Sequence, residues 1–266
     1  MKRIFTISLT AVLLFAIAVT VNADRRRLLM TRNVAASSVP TPIFRLEMNE
    51  GSGVTMADSS GNGNTFTNFG ATWITGKSGG GGALQFDGVN DFGRSVANIT
   101  PTTDVTNWTF CAWVWWDSFA NDDDLLCELS PNINTPNDGA WLINPNNSAV
   151  AGTAAFVVQD GTASLKYREE TTPRWPAAEW VHLAVVFESR ANSLQGEWTI
   201  YTNAVLATQT VRTTDKDQAS DINANIFYLM SRAGTSLFAD GRLDDVGIWG
   251  SALDLSTITA IKAEAR

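Results

Sequence analysis

From Thr41 onward, clusters of Gly, Asn, Asp or Pro interrupt the chain every ten to fifteen residues. Between them lie short runs in which apolar and polar positions alternate, the mark of strands with one buried face. The clearest are Ile43–Leu46, Ala83–Phe86, Trp108–Trp116, Ala154–Val158, Trp180–Phe187, Trp198–Tyr201, Ile226–Met230 and Leu243–Trp249. Thr, Val, Trp and Phe dominate these runs and suit a pleated, half-buried surface. Only the end, from Ser256 to Arg266, reads as helical, with Ser256 or Asp254 as its N-cap. No repeat is visible. Many strands, no long helix and one continuous pattern predict an all-β fold, a two-sheet antiparallel β-sandwich with a short C-terminal helix.

The N-terminus follows a different pattern. Lys2 and Arg3 precede an apolar run from Ile4 to Val21, and Val21-Asn22-Ala23 offers small residues at the positions a signal peptidase reads. Residues 1–23 are therefore expected to be a signal peptide, 24–40 a basic linker, and 41–266 the folded domain. The competing reading is an uncleaved membrane anchor, because Arg25-Arg26-Arg27 follows the run closely and basic residues resist translocation. The expected location of the domain is secreted or at the cell envelope. No second long apolar run occurs.

Composition removes several classes of function. The formal charge is −8, with no basic stripe to neutralise phosphates, so no nucleic-acid partner is expected. A single histidine excludes zinc sites of the His-Glu-x-x-His type. Two cysteines cannot staple a small scaffold, so the core has to hold the fold.

Several segments, taken in order, resemble the laminin-G-like, concanavalin A-like jelly-roll domains. They are Phe44-Arg45-Leu46; Glu50-Gly51-Ser52-Gly53; Asp58-Ser59-Ser60-Gly61-Asn62-Gly63-Asn64; and Trp73 with Gly76. Next come Gly82-Ala83-Leu84-Gln85-Phe86-Asp87-Gly88 with Asn90-Asp91-Phe92, then Trp108–Val114, Trp180–Phe187, and the closing segment Gly241–Trp249 with Ala252-Leu253. The resemblance implies a concanavalin A-like jelly roll over nearly all of the chain after the linker. It leaves function open, since such a fold hosts carbohydrate-binding modules, adhesion domains and appendages of enzymes.

The resemblance also implies a structural calcium ion that joins the N-terminal loop to the last strand. Its ligands here would be the Asp58 carboxylate, carbonyls around Asn62 and Asn64, and Asp244 or Asp245. Calcium takes six to eight oxygens, which a Gly/Asn-rich loop can turn inward; the same residues are equally the commonest turn formers. Trp113, Trp180 and Trp249 are expected in the core, with Trp73 as a core plug. Trp175 in Arg174-Trp175-Pro176, Trp141 before an Asn/Pro loop, and the outward member of Trp115-Trp116, taken as Trp116, are candidate ligand platforms. Local packing over a sheet edge is the alternative for all three. His182 reads as a buried sheet residue. Cys111 and Cys127, sixteen residues apart, form either a disulfide or two small buried apolar groups. Asp122-Asp123-Asp124, and the loop holding Asp215, Asp217 and Asp221, read as solvated acidic loops.

No catalytic constellation is found. Glucanases of this fold carry Glu-x-Asp-x-x-Glu on one strand, and no such string occurs; Glu169-Glu170 would point to opposite faces. Nor is there a Gly-x-Ser-x-Gly elbow or a phosphate-cradling loop. The expected function is non-catalytic binding of a glycan or polysaccharide with a structural calcium. The alternative is a protein–protein adhesion module with a cell-surface or matrix partner, and the third reading is an enzyme with dispersed carboxylates.

Overall fold

The structure, a computed structural model, describes residues 39–77, 79, 81–99, 107–117, 125–129, 140–144, 155–160, 164–170, 175–190, 193–207, 209–211 and 225–264. The predicted signal peptide and nearly all of the linker lie outside these residues, as do the acidic loops at 122–124 and 215–221.

The first half of the chain supplies β1 (Phe44–Leu46), β2 (Thr55–Met56), β3 (Phe66–Phe69), β4 (Thr72–Thr75), β5 (Gly82–Asp87), β6 (Phe92–Ser95), β7 (Asn107–Trp116) and β8 (Cys127–Leu129). It continues with β9 (Ala140–Asn144), β10 (Ala155–Asp160), β11 (Ser164–Glu170), β12 (Val181–Arg190), β13 (Ser193–Thr202), β14 (Val205–Leu206), β15 (Gln209–Val211), β16 (Phe227–Leu229) and β17 (Asp240–Trp249). One helix, α1 (Leu255–Glu264), follows. The two-sheet sandwich expected from the alternating pattern is what forms. Sheet A runs β14-β13-β12-β7-β17-β5-β4, with β1 also on β17; sheet B runs β15-β11-β10-β9-β8-β16-β6-β3-β2. Neighbouring strands are antiparallel throughout, from β1 on β17 to β8 on β9.

Strand β7 shows why these residues make a sandwich. Its even-numbered side chains, Trp108, Phe110, Ala112, Val114 and Trp116, enter the core between the sheets. Its odd-numbered ones take the outer face of sheet A, where Cys111 joins a second apolar cluster. The centre of the main core is an aromatic triad that joins the layers. Phe44 of sheet A lies 4.9 Å from Phe66 and 5.3 Å from Phe227, both of sheet B. Edge-to-face contacts of this kind add about 0.5–1.5 kcal/mol each beyond simple burial.

The second cluster lies beneath α1. Asp254 caps that helix, its carboxylate accepting the Thr257 N–H at 2.7 Å. Ile258 and Ile261 then pack on Cys111, Ala184, Val186 and Trp249. A hydroxyl relay ties the approach to the sheet: Thr109 Oγ1 donates to the Ser251 carbonyl and accepts the Leu253 N–H. Part of the outer face of sheet A is therefore a true interior.

The cysteines do not form the bridge. Cys111 is on β7 of sheet A and faces α1, whereas Cys127 is on β8 of sheet B and faces the main core. Both are the small buried apolar groups of the other reading. Burial pushes the Cys111 thiol well above its ordinary pKa.

Strand β17 carries the irregularity that matters most for the site. Its register on β7 shifts between Asp244 and Gly247, and Asp245 adopts φ +49°. The extra residue lets both Leu243 and Val246 enter the core. Asp244 and Asp245 are left side by side with partners outside that core.

Candidate functional site

The side chains that the resemblance assigns to calcium are engaged otherwise. Asp58 Oδ1 accepts the backbone N–H of Arg45 at 3.1 Å and of Ser60 at 2.9 Å; Oδ2 accepts Ser60 Oγ and the Asn64 N–H, both at 2.8 Å. The amides of Asn62 and Asn64 donate to the Ile43 carbonyl, closing the loop on β1. Asp245 gives both oxygens to the Arg45 guanidinium, and Asp244 Oδ2 accepts the Lys77 N–H at 2.9 Å. Among the described residues no three His, Cys, Asp or Glu side chains converge on a metal position. The carboxylates of Asp58, Asp244 and Asp245 therefore do not form a calcium set. Arg45 supplies the positive charge between loop and last strand, and it also meets Glu264 of α1 at 3.1 Å. Burial works against that charge, but Asp245 and Glu264 more than offset it and hold the guanidinium firmly protonated. A polar cleft of about 560 Å³ opens here, lined by Arg45, Glu47, Asn49, Asp245, Ala263 and Glu264.

The candidate platforms sort differently from the sequence reading. Trp116 is 2% exposed and Trp175 3%, the two indoles stacking at 6.4 Å inside the core. A backbone hydrogen bond from Ala178 N–H to the Trp116 carbonyl draws the Trp175 loop onto β7. Neither can serve as an exposed platform. Trp141 lies within β9, opposite Leu129 and Val158, and its side chain is outside the described residues. Trp113, Trp180 and Trp249 are not in the core between the sheets: Trp249 is under α1, and Trp113 and Trp180 are on the outer face of sheet A. Trp73 packs half-buried against the core, its indole N–H donating to the Gly53 carbonyl.

Beside α1, the outer face of sheet A carries two cross-strand rows. In the first, Thr72, Gln85, Arg242 and Trp115 are register partners on β4, β5, β17 and β7. Half-buried Trp180 closes the row, its ring 5.9 Å from that of Trp115 at 69°. The Arg242 guanidinium lies 4.5 Å from the Trp115 ring centroid, a cation–π contact. Asp117 fixes both: Oδ1 accepts the Trp115 indole N–H at 2.8 Å and Arg242 Nη2 at 3.3 Å. The outward member of the tryptophan pair is thus Trp115.

The second row is Asp244, Trp113 and His182, register partners on β17, β7 and β12. It is closed from above by Lys77, whose ammonium lies 3.7 Å from the Trp113 ring centroid. Asp244 and His182 are each 1% exposed. Burial pushes the Asp244 carboxyl up to about 7 and His182 down to about 3, so the histidine is neutral. Asp244 Oδ1, Trp113 Nε1, His182 Nδ1 and, in the first row, Arg242 Nε find no hydrogen-bond partner among the described residues. Unpaired buried polar atoms are costly, and four of them on one face mark where enclosed water would be welcome.

Sheet B holds one titratable group that the sequence reading missed. Glu128 on β8 is wholly buried; Oε2 accepts the Ala233 N–H at 2.9 Å and Oε1 has no partner among the described residues. Burial pushes its carboxyl up to about 7. Its sequence neighbours Cys127 and Leu129 face the core, so alternation could have flagged Glu128, but not that the turn at Ala233 covers it.

Residues 93–259, more than half of the chain, match the family model of the concanavalin A-like lectin/glucanases superfamily. The chain belongs to that superfamily. Among curated proteins no sequence matches it. Solved structures with the same fold include domain 4 of AbnA, a GH43 extracellular arabinanase from Geobacillus stearothermophilus, in complex with arabinotriose. There the identity is 15%, the TM-score 0.60, and coverage 83% of this chain and 98% of that one. The botulinum neurotoxin type G receptor binding domain gives 15% identity and a TM-score of 0.58 over 85% of this chain. The binding domain of Paraclostridial Mosquitocidal Protein 1 gives 14% and 0.59 over 83%. This chain spans about half of those two toxin chains, 52% and 51%. The likenesses show the fold alone, and membership of the superfamily supports a binding module.

Proposed function

We propose that the domain is a non-catalytic glycan-binding module whose contact surface is the outer face of sheet A around Trp115 and Trp180. The observation that carries this is the half-exposed indole pair, fixed in angle and flanked by Arg242, Asp117 and Gln85. Sugar rings stack their C–H faces on indoles, while arginine, carboxylate and amide groups take the hydroxyls. A face fixed by strand register and by the Asp117 hydrogen bonds loses little freedom on binding, which favours affinity. That a domain of this fold is described in complex with arabinotriose supports the reading. Export of the domain, as its N-terminal sequence suggests, would put it where such glycans are. The test is a glycan array on the full chain, followed by titration of the hits with Trp180→Ala and Trp115→Ala. Binding at least tenfold weaker in both, with the fold retained, is the expected result. Undiminished affinity in both variants overturns the assignment.

A protein partner is the second reading, and a separate observation favours it. Phe69 on β3 is 37% exposed, stacked on Phe92 of β6 at 4.5 Å, with Arg94 beside it. An exposed phenylalanine stacked on a half-buried one, with an arginine alongside, has the composition of an interface anchor.

A further inference from the structure

We infer that the outer face of sheet A discriminates by charge: it takes uncharged or amine-bearing glycans and refuses acidic ones. This rests on the glycan-binding reading above and adds the class of sugar. Sites for uronates, sialic acids or sulfated sugars need a cation free to meet the anion, typically the two-pronged fork of an arginine. Arg242 cannot offer that fork. Its Nη2 is held by Asp117 Oδ1, its Nε is buried, and its plane lies against Trp115. Lys77 is seated on Trp113, where Asp244 draws on its charge, and Lys262 of α1, whose charge reaches Lys77, donates to the Asn203 carbonyl at 3.1 Å.

Around the tryptophan row the carboxylates outnumber Arg242. Asp240 stands directly opposite Asp87 in the β17–β5 register, two residues along β17 from Arg242, in the cross-strand row next to the tryptophan row. Asp117 adds a third acid beside them, close enough for its charge to be felt at Asp240. Asp87 and Asp240 form no ion pair among the described residues, and Arg242, whose charge is felt at Asp240, is already paired with Asp117, so an incoming anion would meet more negative than positive charge there. The chain's formal charge of −8 repels it at longer range as well. An ammonium on C2 of an amino sugar, or a neutral hydroxyl, meets acceptors instead.

The experiment uses the full chain and sugars matched in all but charge. Oligogalacturonides of one length are compared in methyl-esterified and free-acid form, and chitooligosaccharides in acetylated and de-acetylated form. Both pairs are set within an array of neutral, amino and acidic glycans. Binding confined to neutral and amine-bearing sugars, with acidic counterparts weaker by roughly tenfold or more, is expected. The gap should narrow when salt rises from about 50 mM to about 500 mM, because screening removes the repulsion. The double variant Asp87→Asn with Asp240→Asn should admit the acidic form. Equal or better binding of acidic sugars overturns the charge inference while glycan binding stands. No binding in any class overturns both.

Discussion

Arg45 and Asp245 meet side-on, Nε to Oδ1 at 2.7 Å and Nη2 to Oδ2 at 2.9 Å, across 200 residues of sequence. The pair is largely buried, with side-chain exposures of 15% and 6%. Because the Arg45 N–H also holds Asp58, this one residue connects the N-terminal loop, the last strand and α1. Removing one partner of a buried pair strands the other charge and costs about 3–5 kcal/mol. Arg45 keeps some solvent, so Arg45→Met should cost about 2–4 kcal/mol, seen as a lower urea midpoint at unchanged slope. Adding Asp245→Asn to that variant, which removes the stranded charge at a position of positive φ that Asn tolerates, should recover most of the loss.

Calcium should then be dispensable. With Asp58 saturated by N–H and O–H donors and Asp245 committed to Arg45, EDTA should leave the melting temperature where millimolar calcium leaves it. A calcium-dependent rise would show an ion held by a different set of oxygens and would reverse the conclusion that these residues do not fit one.

How much of this the sequence could announce depends on how local the cause is. The strands, the capped helix and the turn at Asp58 all rest on contacts within a few residues, and alternation reports them. The choice between Trp115 and Trp116 does not. Both faces of β7 are apolar because α1 covers Cys111 on the outside, so no polar phase marks which side is out. Trp175 sits between Arg174 and Pro176 and looks exposed, yet its environment comes from Trp116, far away in the chain. The β17 bulge is silent for the same reason, and with it the parting of Asp244 from Asp245.

The pH dependence of stability should carry opposing contributions. Glu128, raised from 4.5 to about 7 on folding, binds a proton more tightly in the native state. Its contribution is full below pH 4.5 and is lost as pH rises to about 7. Asp244 acts in the same direction, from 3.8 to about 7. His182, lowered from 6.5 to about 3, acts oppositely: its contribution is full above pH 6.5 and is lost as pH falls to about 3. Subtracting wild type from Glu128→Gln isolates the first. The variant should gain on wild type by up to about 3 kcal/mol between pH 4 and pH 8. A flat difference across that range would show that Glu128 titrates normally.

The thiols should be inert in the folded protein. Cys111 is fully buried under α1 with its pKa pushed up, so little thiolate is available to react. Iodoacetamide should modify it only after denaturant is added, and reductant should leave the melting temperature unchanged. A change in intact mass on reduction would reveal a bridge.

The tryptophans give the sharpest separation of fold from function. Trp175 and Trp180 are five residues apart, but one fills the core against Trp116 and the other stands half-buried beside Trp115. Truncating a large core aromatic leaves a cavity and costs about 3–5 kcal/mol, so Trp175→Ala should show that loss in urea denaturation. Trp180→Ala gives up one edge contact and partial burial, and should cost no more than about 1–2 kcal/mol. Sugar affinity should respond in the reverse order once both variants are measured where they are folded. If instead Trp175→Ala is harmless to stability, the loop it anchors is not part of the core, and the outer face would lose the support that holds Trp180 in place.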